Sequence, residues 1–127
     1  MRPNINIVFS QPPEGVPEDD FNTWYNAHLD EILSIPGFVS AQRFRLEPAV
    51  VDPDVPAPYR YIALFELAGD PGPIMAEMAR MGLASKESYV ELKERDSSGP
   101  PLPDWWDEVR FASWNCTAIG DRVEASS

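Results

Sequence analysis

A row of large side chains near the start of this chain does most to limit its fold. Phe21, Trp24, Tyr25, His28, Leu29, Ile32 and Leu33 recur at steps of three and four. That spacing lines up one face of an α-helix, and such a face must be buried against another element. Pro17 suits the first turn, where its missing N–H is not needed. Glu18, Asp19 and Asp20 place negative charge at the positive end of the helix dipole. Ile35-Pro36-Gly37 stops the helix.

The segments around this helix read as strands, a second helix and loops. Asn4–Phe9 alternates and then turns apolar, as a strand does. Ser10–Pro17 is a loop rich in proline. Phe38–Leu46 alternates again, with Phe38, Ser40, Gln42 and Phe44 on one side and Val39, Ala41, Arg43 and Arg45 on the other. Pro48–Pro58 is a proline-rich connector, and Arg60–Leu67 is apolar on both sides, as in a central strand. Gly69–Pro73 reads as a break. Ile74, Met75, Met78, Met81 and Gly82 suggest a second helix, and Lys86–Arg95 a short helical piece. Ser97–Pro103 is a flexible stretch, and Val109–Ile119 a last strand with apolar residues on both faces. The expected division is one domain over residues 1–120 and a polar tail over 121–127.

The order is therefore β-α-β-β-α-β, the split βαβ or ferredoxin-like pattern of the α+β class. Both helices then cover one face of a four-stranded antiparallel sheet. The other face carries apolar residues from the third and fourth strands, and a second copy of the same sheet is the economical cover. A homodimer is expected on that ground.

Length and charge narrow the functional classes. At 127 residues the chain is one ordinary domain and needs no staple. Its single cysteine, Cys116, excludes an intrachain disulfide and suits a reducing compartment. No long apolar stretch follows Met1-Arg2-Pro3-Asn4, so neither a signal peptide nor a membrane span is expected, and the default location is the cytoplasm. The net charge of −11 repels phosphate backbones and anionic lipid, which argues against nucleic acid or membrane partners. With one histidine and one cysteine there is no metal-ligand cluster, and no glycine-rich phosphate loop is present. No metal or cofactor is expected.

Three runs carry a family resemblance. They are Phe21-Asn22-Thr23-Trp24-Tyr25-Asn26-Ala27-His28-Leu29, Ile35-Pro36-Gly37-Phe38-Val39-Ser40-Ala41-Gln42-Arg43-Phe44, and Tyr61-Ile62-Ala63-Leu64-Phe65-Glu66. Together they resemble the dimeric α+β-barrel superfamily, close to its EthD-like branch, over the first half of the chain. The resemblance implies a homodimer whose sheets form a shared barrel, with a pocket between sheet and helices in each subunit. That superfamily includes polyketide cyclases, cofactor-independent oxygenases, muconolactone-type isomerases and haem-handling enzymes, so the fold alone does not select a reaction.

The candidate catalytic residues are His28, Tyr25 and Asn6. His28 is the sole histidine and sits on the apolar helix face. Partial desolvation there favours the neutral base form that a general base needs. The structural alternative is an imidazole bonded to a backbone carbonyl. In the resembling family the matching histidine faces the pocket where it does acid–base work. Tyr25, one turn earlier, offers a phenol to a substrate oxygen or is a core aromatic. Asn6 and Asn115 lie on adjacent strands, and either hold a carbonyl or oxyanion or satisfy one another. Candidate substrate-binding residues are Trp24, Phe44, Tyr61, Phe65, Trp106 and Asn115. Trp105 and Trp106 follow a long connection and form an aromatic lid or an anchor. Arg43, Arg45 and Glu66 read as cross-strand ion pairs or dimer contacts.

These residues point first to a small cofactor-independent enzyme of lyase, isomerase or cyclase type. Its substrate would be an apolar, aromatic or phenolic small molecule. One alternative is a cofactor-free oxygenase or a haem-handling protein, with His28 the sole histidine ligand. The other is a non-catalytic binding or accessory protein using the same pocket.

Overall fold

The computed structural model describes residues 4–49 and 58–126. Met1–Pro3, most of the Pro48–Pro58 connector and Ser127 lie outside them. The elements run β1 (Asn4–Gln11), α1 (Glu18–Leu33), β2 (Phe38–Arg45), β3 (Tyr61–Leu67), α2 (Pro71–Arg80), α3 (Lys86–Arg95) and β4 (Arg110–Cys116). A single 3₁₀ turn, Trp106–Glu108, precedes β4. Among the described residues, no helix is long and apolar enough to cross a membrane.

Helix α1 forms where its periodicity places it. Phe21, Trp24, Tyr25, His28 and Ile32 are its buried stripe, and its first turn holds three acids. It ends at Leu33, and the turn that follows passes through Gly37, whose φ of +100° is a left-handed conformation suited to glycine. A side-chain carbon there would stand 2.5 Å from Cγ1 of Ile74, so the bare backbone also lets α2 pack closely.

Helix α2 starts earlier than the break read at Gly69–Pro73 allows. Asp70 caps it, its side chain accepting the Gly72 amide at 3.0 Å. Pro71 and Pro73 then fall in the first turn, where the helix makes no use of an N–H. These prolines start a helix instead of separating two elements.

The sheet is antiparallel throughout, in the order β2-β3-β1-β4. Asn6, Val8 and Ser10 of β1 and Tyr61, Ala63, Phe65 and Leu67 of β3 face the helices. A bulge between Phe38 and Ser40 corrects the face assignment in β2. The extra residue sends Phe38 into the core, opposite Leu67, and sets Val39 and Ser40 outside. From there Ala41 and Arg43 face α1, while Phe44 points to the open side. The helix-facing side of β4 is also less apolar than its composition suggests, because Ser113 and Asn115 follow Phe111 there.

The barrel expected from the family resemblance is not formed. Strands β2 and β4 are two free edges, so the sheet is open. Four strands of ordinary twist are too few to close on themselves, since even a small filled barrel takes about eight. The face away from the helices carries Ile5, Ile7, Phe9, Ile62, Leu64, Phe44 and Trp114. Trp114 is 58% exposed and Phe44 44%.

Candidate functional site

Between the helix-covered face of the sheet and the helices lies a cavity of about 350 Å³. Its walls are mostly apolar: Val8, Ile32, Phe65, Met75, Met78 and Phe111 among them. Tyr25 and Trp106 add aromatic surface. Three polar groups interrupt this lining. One is His28 with Tyr89, on the helix side. Another is Asn6 with Ser113 and Asn115, on the sheet side. The third is Ser85 with Lys86 at the start of α3, the Lys86 ammonium being bonded to the Asp107 and Val109 carbonyls. A largely apolar hollow with a few convergent polar groups is the usual form of a small-molecule site, and this one opens to solvent beside the exposed Ala84, Ser85, Ser113 and Asn115.

His28 is held by a network that joins α1 to α3. Its Nδ1 donates to Glu31 Oε1 at 3.0 Å, one turn along the helix. The same oxygen accepts the Tyr89 hydroxyl at 2.5 Å. The other carboxylate oxygen accepts from Lys93 Nζ at 2.7 Å, and Lys93 also donates to the Ser98 carbonyl at 2.7 Å. The Lys93 side chain is only 7% exposed. Trp24 stacks on the imidazole, with ring centres 4.8 Å apart. Burial alone would raise the Glu31 pKa. Hydrogen bonds from His28, Lys93 and Tyr89 outweigh that and hold it below the ordinary glutamate value. The Tyr89 phenol is pushed far up, by burial and by its bond to Glu31.

An ionised carboxylate only accepts hydrogen bonds, so Nδ1 carries the proton in the neutral ring. The lone pair is then on Nε2, which has no protein hydrogen-bond partner among the described residues. The imidazole is thus held on one side and free on the other, in a cavity wall.

On the sheet side, Asn6 and Asn115 are direct partners across β1 and β4. Asn6 Nδ2 donates to Ser113 Oγ at 3.0 Å and to Asn115 Oδ1 at 2.9 Å. The Asn6 carbonyl oxygen, Oδ1, is buried and has no partner.

Of the residues singled out from sequence, His28, Tyr25, Asn6, Phe65, Trp106 and Asn115 meet in this cavity wall. Trp24 stands behind His28, its indole N–H tied to the Pro101 carbonyl at 2.9 Å. The Tyr25 hydroxyl is bonded to Ser10, and burial raises its pKa against the opposing pull of Arg43 and that bond. Phe44 and Tyr61 lie elsewhere, beside a shallower hollow with Asn22, Asn26, Arg43 and Arg45. The Tyr61 hydroxyl donates to Glu18 at 2.6 Å.

The charges on β2 and β3 do not pair across the strands. Arg45 binds Glu18 of α1. The Arg43 guanidinium lies 4.5 Å from the centre of the Tyr25 ring, a cation–π contact. Glu66 faces Ser40 and Ile5.

Glu31, Tyr89, Lys93 and Ser113 escaped the sequence reading. The step of three from His28 to Glu31 was the signal for the first. Tyr89 and Lys93, four apart on α3, were a signal for the next two. Among the described residues, no three His, Cys, Asp or Glu side chains group to hold a metal ion.

The fold and cavity define a ferredoxin-like α+β protein with a buried, largely aromatic and apolar pocket of small-molecule kind. No protein-family model matches the sequence, and neither does any curated protein. Solved structures do match. HapK from Hahella chejuensis is 16% identical with a TM-score of 0.54, over 97% of this chain and 99% of that one. At3g17210 from Arabidopsis thaliana is 13% identical with a TM-score of 0.54, over 93% of this chain and 99% of that one. A dabb family protein with a ferredoxin-like fold from Mesorhizobium loti is 12% identical with a TM-score of 0.53, over 94% of this chain and 100% of that one. These likenesses establish the ferredoxin-like fold.

Proposed function

We propose that this chain is a small cofactor-independent acid–base enzyme, of lyase, isomerase or cyclase type, acting on an apolar aromatic or phenolic molecule. The observation that carries this reading is the state of His28. Glu31 anchors its Nδ1 at 3.0 Å, and Nε2 is left unpartnered in the wall of an apolar cavity. In the proposed step a C–H or O–H bond of the substrate breaks and its proton moves to Nε2. The electron pair stays on the substrate, delocalised into its conjugated system. Return of the proton to a different atom isomerises the substrate, and expulsion of a leaving group makes the step a lyase reaction. Glu31 acts as a positioning residue, and Phe65 and Trp106 offer flat apolar surface to the ring. Trp24-Tyr25 before His28-Leu29, followed by Pro36-Gly37-Phe38, supports an EthD-like place within the fold.

The probe is 2-tetralone, a bicyclic ketone with an acidic C–H. Its deuterium exchange in heavy water is followed by NMR without added metal or cofactor. Wild type should exchange it well above buffer, and His28→Gln should lose about 10²-fold or more of that rate. An undiminished rate in folded His28→Gln would remove His28 from the mechanism. No exchange by wild type would count against the proton-transfer reading.

We also infer self-association through the open sheet face, where Trp114 and Phe44 stand exposed amid Ile5, Ile7 and Leu64. Sedimentation at micromolar concentration should give a dimer for wild type and a monomer for Trp114→Lys. A wild-type monomer sinks this assignment.

A further inference from the structure

The sheet-side polar group says what kind of ligand the cavity takes, given the small-molecule reading above. Both amide hydrogens of Asn6 are engaged, one by Ser113 Oγ and one by Asn115 Oδ1. It therefore has no hydrogen left to donate to a developing oxyanion. What remains is Oδ1, an acceptor without a partner on a residue only 2% exposed that lines the cavity. A buried carbonyl oxygen without a hydrogen bond is costly and uncommon in a native interior. Asn6 sits in the middle of β1, between Phe65 on one side and Asn115 on the other, so the strands hold its backbone in place.

We propose that Asn6 Oδ1 is the acceptor for a neutral hydroxyl group on the ligand, and that the cavity selects hydroxylated aromatic molecules over their hydrocarbon, halogenated or ionised counterparts. A carbonyl oxygen attracts an O–H. It offers nothing to a C–F group and repels a phenolate. His28 and Asn6 lie on the helix and sheet sides of one cavity. The ligand is thereby oriented with its hydroxyl toward β1 and β4 and another edge toward His28. This reverses the oxyanion-holding role that Asn6 carries on sequence grounds alone.

The test compares 2-naphthol with 2-fluoronaphthalene, which is similar in shape and has no donor, by calorimetric titration at neutral pH. Wild type should bind 2-naphthol roughly tenfold tighter, the worth of one hydrogen bond. Asn6→Leu should abolish that preference. Asn6→Asp should keep it, because a carboxylate accepts at the same point while Ser113 and Asn115 turn to donate to it. Asn6→Asp also guards against misfolding of the leucine variant. Equal affinities in wild type overturn the hydroxyl assignment and leave the apolar-cavity reading standing. A preference that survives in folded Asn6→Leu overturns it too, by placing the acceptor elsewhere. Loss of the preference in folded Asn6→Asp shows that the free atom of Asn6 is a donor and overturns it as well. Failure of wild type to bind either probe defeats the small-molecule reading itself, and this assignment with it.

Discussion

Replacing Glu31 with alanine should destabilise the protein by about 3–5 kcal/mol, the usual result of removing one partner of a buried ion pair. The loss comes from what the carboxylate leaves behind. Lys93, its side chain nearly sealed from solvent, would keep its charge with the Ser98 carbonyl as its remaining hydrogen-bond acceptor. The Tyr89 hydroxyl and His28 Nδ1 would lose their acceptor together. Urea unfolding of wild type and Glu31→Ala measures the difference, and a change under about 1 kcal/mol would mean that the network is dispensable. The same group sets a pH dependence. The folded-state pKa of Glu31 lies below its unfolded value, so its stabilisation is complete above the unfolded pKa. It is lost as pH falls through the folded one. The acid limb of the stability curve should therefore be shallower in Glu31→Gln than in wild type.

Phe21→Ala should cost a similar amount, about 3–5 kcal/mol, for a different reason. Phe21 is fully buried, and its ring centre lies 5.4 Å from Tyr61, 5.4 Å from Trp105 and 5.7 Å from Tyr25. The Arg43 guanidinium lies 5.7 Å away on the same group of rings. Removing the phenyl ring opens a void between α1 and the sheet and takes one aromatic wall from a half-buried cation. Against a typical total stability of about 5–15 kcal/mol, the variant should be close to unfolding at body temperature. Thermal unfolding checks this. A fall of only a few degrees would mean that Trp105 or Arg43 swings in and refills the space.

What could be read from the sequence was whatever its periodicity carries. The α1 stripe from Phe21 to Ile32, the β1 and β3 strands and the order of elements all follow from spacing between neighbours. The face of Phe44 did not, because a bulge at Phe38–Ser40 breaks the two-residue period and nothing local announces it. The start of α2 was hidden by prolines that act as helix starters only once Asp70 is known to cap it. His28 was visible as a lone histidine on an apolar face. Its partner Glu31 was lost among 21 acidic residues that read as a solvated surface. The bonds from Tyr89 and Lys93 that distinguish it span 58 and 62 positions, beyond the reach of any helical or strand period.

The segment from α3 to Trp106 also has a mechanical consequence. Besides its ring contacts, it is hydrogen-bonded to α1 at three points along one stripe: Lys93 and Tyr89 on Glu31, and the Pro101 carbonyl on Trp24. Two of those points are the bonds that fix the carboxylate holding the imidazole. The aim of the imidazole on α1 therefore depends on α3 staying docked: Glu31 is steadied by two side chains of another helix, so the packing of α3 on α1 and the orientation of His28 stand or fall together.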